Sequence, residues 1–259
     1  MGTSEGALLR IQPPGAVHQD ESAADNAAGI RTPRRLVGPR LILPGEDCLT
    51  IPGLLLDVVK RRSLRVAMRA KHFGIYQDVT WSELLDRVAG IGLGLCALGV
   101  KPEERVAIVG DPLAEWLLSD FAAQCIGAIS YGLYPTSSRD EAEFVLRHGG
   151  ASVLIAEDQE HVDKVLPLLD RLPNLKKIVV IDNSSMFGYE HPALMSLDAL
   201  VEAGRSVPGG KEAFLARCKA VRPDDPATIV YTSGTSAHPK GALYSHRGLV
   251  TQGHQFFAF

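Results

Sequence analysis

Residues 231–241 read Tyr231-Thr232-Ser233-Gly234-Thr235-Ser236-Ala237-His238-Pro239-Lys240-Gly241. Four aliphatic hydroxyls, two glycines and one lysine stand between two apolar runs. Ala227 to Tyr231 has the apolar, β-branched character of a buried strand, and Ala242-Leu243-Tyr244 reads as the start of another. A loop of this composition suits an anionic phosphate chain. Glycine lets backbone N–H groups come close, hydroxyls donate, and an ammonium group neutralises charge.

The loop is not a Walker motif, which needs glycine before its lysine and Ser or Thr after it. Pro239 precedes Lys240 and Gly241 follows it. Gly209-Gly210-Lys211 fails the same test because Glu212 follows. The Gly90, Gly92, Gly94 series is no dinucleotide fingerprint either. It lies inside an amphipathic helical pattern and not at a strand-to-helix turn, so helix packing is its expected role.

The eleven-residue stretch, with Pro-Lys-Gly in place, resembles the phosphate-binding signature of the adenylate-forming (AMP-binding) superfamily. Ser245-His246-Arg247 resembles the serine–histidine that follows the lysine there. Val79-Thr80-Trp81-Ser82-Glu83-Leu84 and Leu98-Gly99-Val100, followed by Arg105-Val106-Ala107-Ile108, fit the same family. Gly74-Ile75-Tyr76-Gln77, Tyr131 to Ser138 and Ala156 to Lys164 look most like bacterial long-chain fatty acid–CoA ligases. The resemblance covers roughly residues 50–259. Two departures stand out. Ala237 occupies a usual glycine position, which costs about 1–2 kcal/mol if φ is positive there. Gly248 stands where asparagine is common.

The resemblance implies ATP-dependent activation of a carboxylic acid. The carboxylate attacks the α-phosphorus, pyrophosphate leaves, and the thiol of coenzyme A takes the acyl group. Thr232, Ser233, Gly234, Thr235, Ser236 and Lys240 would hold the phosphates, with Lys240 the catalytic residue, and Mg²⁺ is expected as phosphate partner. His246 either lines the site or packs beside the loop. Relatives continue far beyond Phe259, so the chain is expected to be the N-terminal part of such an enzyme, without the C-terminal domain. Activation of aryl or amino acids for a carrier protein, and a non-catalytic ATP-binding role, are the alternatives.

Composition agrees with a globular chain. Of 259 residues 46 % are hydrophobic, and the net charge of −3 carries no bias toward nucleic acid. Cys48, Cys96, Cys125 and Cys218 form no CxxC pair. That points to reduced thiols, no structural zinc and a cytoplasmic setting. Ala122 to Tyr134, the longest nearly apolar run, is too short to cross a bilayer. Lys60 to Lys71 carries six basic residues and no acid. It reads either as a solvated face or as peripheral contact with an anionic inner membrane surface.

Residues 1–45 are rich in proline and poor in periodicity, and read as a disordered or loosely docked arm before a domain over 46–259. Apolar runs at Arg105–Gly110, Ala128–Tyr134, Ser152–Glu157 and Lys177–Asp182 alternate with helical patterns. An α/β fold follows, with a mostly parallel sheet flanked by helices. Leu84, Val88, Ile91, Leu95 and Leu98 share one helical face. Thr80 with Glu83, and Ser138 with Glu141, form capping boxes, and Gly99 and Gly149-Gly150 end the two helices. Asp158 to Leu172 is helical with a bend at Pro167. Ser184 to Val221 is expected to wrap the surface with two short helices.

Overall fold

The computed structural model describes residues 48–72, 74–232 and 239–257. The expected arm over 1–45 therefore lies outside the described residues. Helix α1 (Ile51–Arg62) precedes a hairpin of β1 (Val66–His72) and β2 (Ile75–Thr80). Then come α2 (Trp81–Ala97), β3 (Arg105–Val109), α3 (Ala114–Cys125), β4 (Ile129–Leu133), α4 (Arg139–Gly149) and β5 (Ala151–Ala156). Next are α5 (Gln159–Val165), a 3-10 turn (Leu166–Arg171), β6 (Lys177–Val180), β7 (Leu194–Ser196), α6 (Leu197–Gly204) and α7 (Gly210–Ala220). The described chain closes with β8 (Pro226–Thr232), β9 (Lys240–Ser245) and α8 (His246–Phe257).

Seven strands form one sheet in the order β7-β6-β5-β3-β4-β8-β9. Every neighbouring pair is parallel except β8 with β9. A parallel sheet must be covered on both faces, and strand pleating decides which residue meets which layer. Val106 and Ile108 face a layer containing α2, α3, α6 and α7. Their neighbours Ala107 and Val109 face the opposite layer, with α4 and α5. All six residues of β5 are buried. The expected layered α/β architecture is the one observed.

Local signals act as their chemistry requires. The Thr80 hydroxyl accepts from the Glu83 N–H at 3.3 Å, and the Glu83 carboxylate accepts from the Thr80 N–H at 2.8 Å. Ser138 and Glu141 repeat the exchange at 3.3 and 2.8 Å. Helix α2 ends at Gly99, whose φ of 83° lies in the left-handed region. Its N–H donates to the Cys96 carbonyl, and the next N–H donates to that of Leu95. Both otherwise unpaired carbonyls are thereby satisfied. Pro167 acts more strongly than a bend: the α-helix stops at Val165 and continues as 3-10 turns.

The stretch 184–221 departs from the expected surface wrap. It does form two short helices, but they supply core. Leu200 of α6 and Phe214 of α7 are fully buried. Its first strand, β7, is only three residues long and joins the sheet beside β6. Leu197, Leu200, Val201 and Gly204 recur at helical spacing, a signal hidden by the surrounding glycines and prolines.

The glycine series of α2 is a packing surface, as its helical setting predicts. A Cβ on Gly94 would lie 2.3 Å from the Leu200 carbonyl oxygen, and one on Gly204 would lie 2.6 Å from the Gly94 nitrogen. Helices α2 and α6 thus touch backbone to backbone. A Cβ on Gly92 would meet the Phe214 ring at 2.7 Å. At Gly90 the nearest atom is the Val201 methyl Cγ1, at 3.1 Å.

The contrast is testable. Gly94→Ala must push α6 off α2, and we expect a loss of about 3 kcal/mol or more in urea unfolding. Gly90→Ala needs only a side-chain adjustment and gains helix propensity. Its stability should stay within about 1 kcal/mol of the parent.

Candidate active site

The phosphate-loop motif sits on the β8–β9 hairpin at the edge of the sheet. The hairpin is clasped at its base. The Arg247 guanidinium binds the Asp224 carboxylate at 2.8 and 3.1 Å, and holds that carboxyl below its usual pKa. The backbone N–H groups of Arg247 and His246 donate to the carbonyls of Pro223 and Asp225 at 2.7 and 3.1 Å. The Ser245 hydroxyl accepts from the Gly248 N–H at 3.2 Å and so caps α8. The segment entering β8 and the segment leaving β9 are thus tied together.

Deeper in the sheet, Ser130 of β4 joins β8 to helix α3. Its hydroxyl donates to Asp120 Oδ1 at 2.5 Å, and its carbonyl accepts from the Thr228 hydroxyl at 2.9 Å. Gln124 Nε2 donates to both Asp120 oxygens at 3.0 Å. Burial pushes the Asp120 pKa up despite these bonds.

Nearer the loop the anchor is Tyr231, which is only 6 % exposed. Its ring packs on Tyr131 with centroids 5.6 Å apart, and its hydroxyl meets His148 Nδ1 at 2.8 Å. Tyr131 itself fits because position 149 is glycine: a Cβ there would lie 2.5 Å from the ring. Across the hairpin Tyr231 pairs with Gly241. A Cβ on Gly241 would stand 2.9 Å from Ile229 Cγ2 and 3.2 Å from the Tyr231 ring. The glycine after the lysine is thus explained by packing as well as by any ligand.

The next pair is Thr232 with Lys240, both exposed, at the open end of the hairpin. The structure therefore brings these two expected phosphate ligands side by side. Ser233, Gly234, Thr235 and Ser236, with Ala237, lie outside the described residues.

Beside this end lies a cleft of about 160 Å³. It is lined by Gly132, Leu133 and Tyr134 at the end of β4, by Thr136, Ser137 and Glu141 at the start of α4, and by Tyr231 and Pro239. The cleft sits at the carboxyl ends of parallel strands, where α/β sheets bind ligands. The motif was legible in sequence, and Tyr131 to Ser138 was singled out as a family resemblance, but its place as the wall of this cleft was not. Its signal is a strand end leading into a capped helix. That signal becomes informative only once β8 is known to lie against β4.

His246 is fully buried and does not line this cleft. Its Nδ1 accepts from the Ile51 N–H at 3.4 Å, at the first residue of α1. That bond places the proton on Nε2, which is buried and has no partner among the described residues. Burial pushes its pKa down to about 4, with Asp225 opposing weakly. The imidazole is neutral at physiological pH, where it joins α1 to α8 by packing and one hydrogen bond.

Among the described residues no group of three acidic, histidine or cysteine side chains could hold a metal ion. The described residues thus form no protein cage for Mg²⁺. No described helix is long and apolar enough to cross a membrane.

A mostly parallel sheet flanked by helices, with an edge hairpin beside a cleft at the carboxyl ends of its strands, defines the class as a layered α/β domain. The sequence profile described as AMP-binding enzyme matches residues 56–258. The chain belongs to that family. It is 37 % identical over 177 residues to the long-chain-fatty-acid–CoA ligase FadD15 of Mycobacterium bovis, covering 68 % of this chain and 28 % of the relative. It is 32 % identical over 176 residues to the long-chain-fatty-acid–CoA ligase heimdall of Drosophila melanogaster, covering 68 % and 26 %. The chain thus spans just over a quarter of the length of these curated relatives. Among solved structures, the anthranilate CoA ligase AuaEII with anthranoyl-AMP matches with a TM-score of 0.61 and 24 % identity, over 76 % of this chain and 35 % of that one. The fatty acyl-adenylate ligase of L. pneumophila, with acyl adenylate and pyrophosphate, matches at 0.62 and 18 %, over 83 % and 34 %. These likenesses show the fold.

The buried imidazole gives a pH test. The folded state disfavours the charged ring, while the unfolded chain titrates near 6.5. The stability it preserves is complete above pH 6.5 and is lost as pH falls toward 4, by at most about 3 kcal/mol. His246→Asn keeps an acceptor near Nδ1 and cannot titrate. Urea midpoints at several pH values should fall less steeply for that variant. Parallel slopes would show that the ring does not resist protonation.

Proposed function

We propose that this chain contributes the nucleotide phosphate-binding part of an ATP-dependent fatty acid–CoA ligase. The observation that carries the reading is the Thr232–Lys240 pair at the open end of a clasped hairpin, inside a sequence belonging to the AMP-binding family. The acid's carboxylate oxygen attacks the α-phosphorus of ATP, the bond to the β-phosphate oxygen breaks, and pyrophosphate leaves. The thiol sulfur of coenzyme A then attacks the acyl carbon of the adenylate and releases AMP.

Negative charge grows on the departing pyrophosphate. The hydroxyls and amides of 232–236 and the Lys240 ammonium are the groups that would meet it. A fixed cation and fixed donors lower the barrier without reorganising. Tyr231 and Gly241 hold the two ends of the loop in register. Mg²⁺ would travel with the triphosphate as MgATP. Fatty acids are favoured over aryl or amino acids because the similar relatives named above are long-chain-fatty-acid–CoA ligases.

Lys240→Ala is expected to slow ATP–pyrophosphate exchange by a factor of about 100 or more, equivalent to roughly 3–4 kcal/mol, and to leave acid binding nearly unchanged. The exchange should be assayed on this chain and on any longer form of the protein. Undiminished exchange in a form that is active as the parent would falsify the loop assignment. A panel of fatty, aryl and amino acids trapped as hydroxamates would test the substrate class.

A further inference from the structure

Helix α4 touches the candidate site at two places. Glu141 in its first turn and Val145 further along line the cleft beside the loop. Its last turn presents His148, whose Nδ1 lies 2.8 Å from the Tyr231 hydroxyl. The helix is braced along its length. Ala142, Val145 and Leu146 are buried. The Arg139 guanidinium donates to the Asp163 carbonyl at 3.3 Å, and the Glu143 carboxylate binds Arg171 at 2.9 Å. A side chain on a helix held in this way is a fixed reference point for whatever it contacts.

The imidazole is itself oriented. It stacks on Phe144, one turn earlier, with centroids 5.6 Å apart and planes at 21°. It meets the Tyr231 ring edge-on, at 5.7 Å and 78°. The phenol hydrogen has no other acceptor among the described residues, so the hydroxyl donates and Nδ1 accepts. The neutral ring then carries its proton on Nε2. Packing sets the plane of the Tyr231 ring, and this hydrogen bond sets how far the ring reaches along α4. Thr232 is the next residue of β8, and Lys240 is its cross-strand partner.

We infer that His148 is a positioning residue for the adenylation step, acting through Tyr231 on Thr232 and Lys240. The inference rests on the ligase reading above. His148 is exposed and does not line the cleft, so it meets no reacting atom. Its contribution is registration. Donors and a cation lower the barrier only where the charge of the departing pyrophosphate develops. A displacement of about 1 Å in such groups can cost about 100-fold in rate. The loss falls on the chemical step, while binding of the acid is left alone.

The test combines ATP–pyrophosphate exchange with imidazole ¹⁵N shifts. In the parent, at a pH where the ring is neutral, the shifts should show His148 protonated on Nε2, and Tyr231→Phe should abolish that preference. His148→Leu and Tyr231→Phe should each lower kcat for exchange by about tenfold or more, with the KM for the acid within about twofold of the parent. The two together should lose no more than either alone, because both remove the same bond. His148→Asn keeps an acceptor near Nδ1 and should recover kcat to within about threefold of the parent. Every assay is run well below the variant's melting temperature, where a role confined to stability leaves kcat parental. Protonation on Nδ1 overturns the inference, as does parental kcat in His148→Leu. So do additive losses, or an Asn variant as slow as the Leu one. If Lys240→Ala is slow in the same assays, the ligase reading survives these results. Absence of exchange by the parent in every form overturns both.

Discussion

The seating of the Tyr231 ring between Tyr131 and the β9 backbone is the contact on which the site geometry depends. Strand β8 must arrive at the loop in a fixed register, and a side chain buried one residue before the loop enforces it. Three glycine-dependent or polar contacts make this possible. Gly149 leaves space for Tyr131, Gly241 leaves space for Tyr231, and His148 satisfies the phenol. Removing any of them would leave a clash or an unsatisfied hydroxyl at the foot of the loop, and the error would pass directly to Thr232 and Lys240.

The hairpin is held at two further levels by different chemistry. At its base the ties are ionic and backbone in nature, through Asp224–Arg247 and the carbonyls of Pro223 and Asp225. At mid-strand they are buried and polar, through Ser130, Asp120 and Gln124. The exposed pair is worth little by itself in water. The buried cluster is more demanding, because each lost bond would strand a desolvated partner. The base and the middle of the hairpin strands are thus held by separate sets of residues.

Much of this was legible in the sequence because it is local. Capping boxes at Thr80 and Ser138, the Gly99 stop, and the apolar runs of β3 to β6 and β8 depend on residues a few positions apart. The phosphate-loop motif is local too. Long-range contacts were not legible. The neighbour of β8 is β4, almost a hundred residues earlier. The imidazole of His246 accepts a hydrogen bond from the Ile51 N–H, 195 residues away. Strand β7 has three residues, below the length at which alternation can be recognised. The packing role of α6 was masked by adjacent glycines and prolines, although its apolar spacing was present.

Where α2 meets α6, Gly94 and Gly204 face each other with no side chain between them. Both positions already hold the smallest residue available, so neither can shrink to make room for growth at the other. Compensating exchanges, the usual way a helix contact drifts among homologues, are closed to this pair. Any divergence there must come by sliding the whole of α6. Because α6 follows β7 directly, sliding it would shift the outermost parallel strand as well. The helix crossing therefore works as a spacer that sets where the sheet ends.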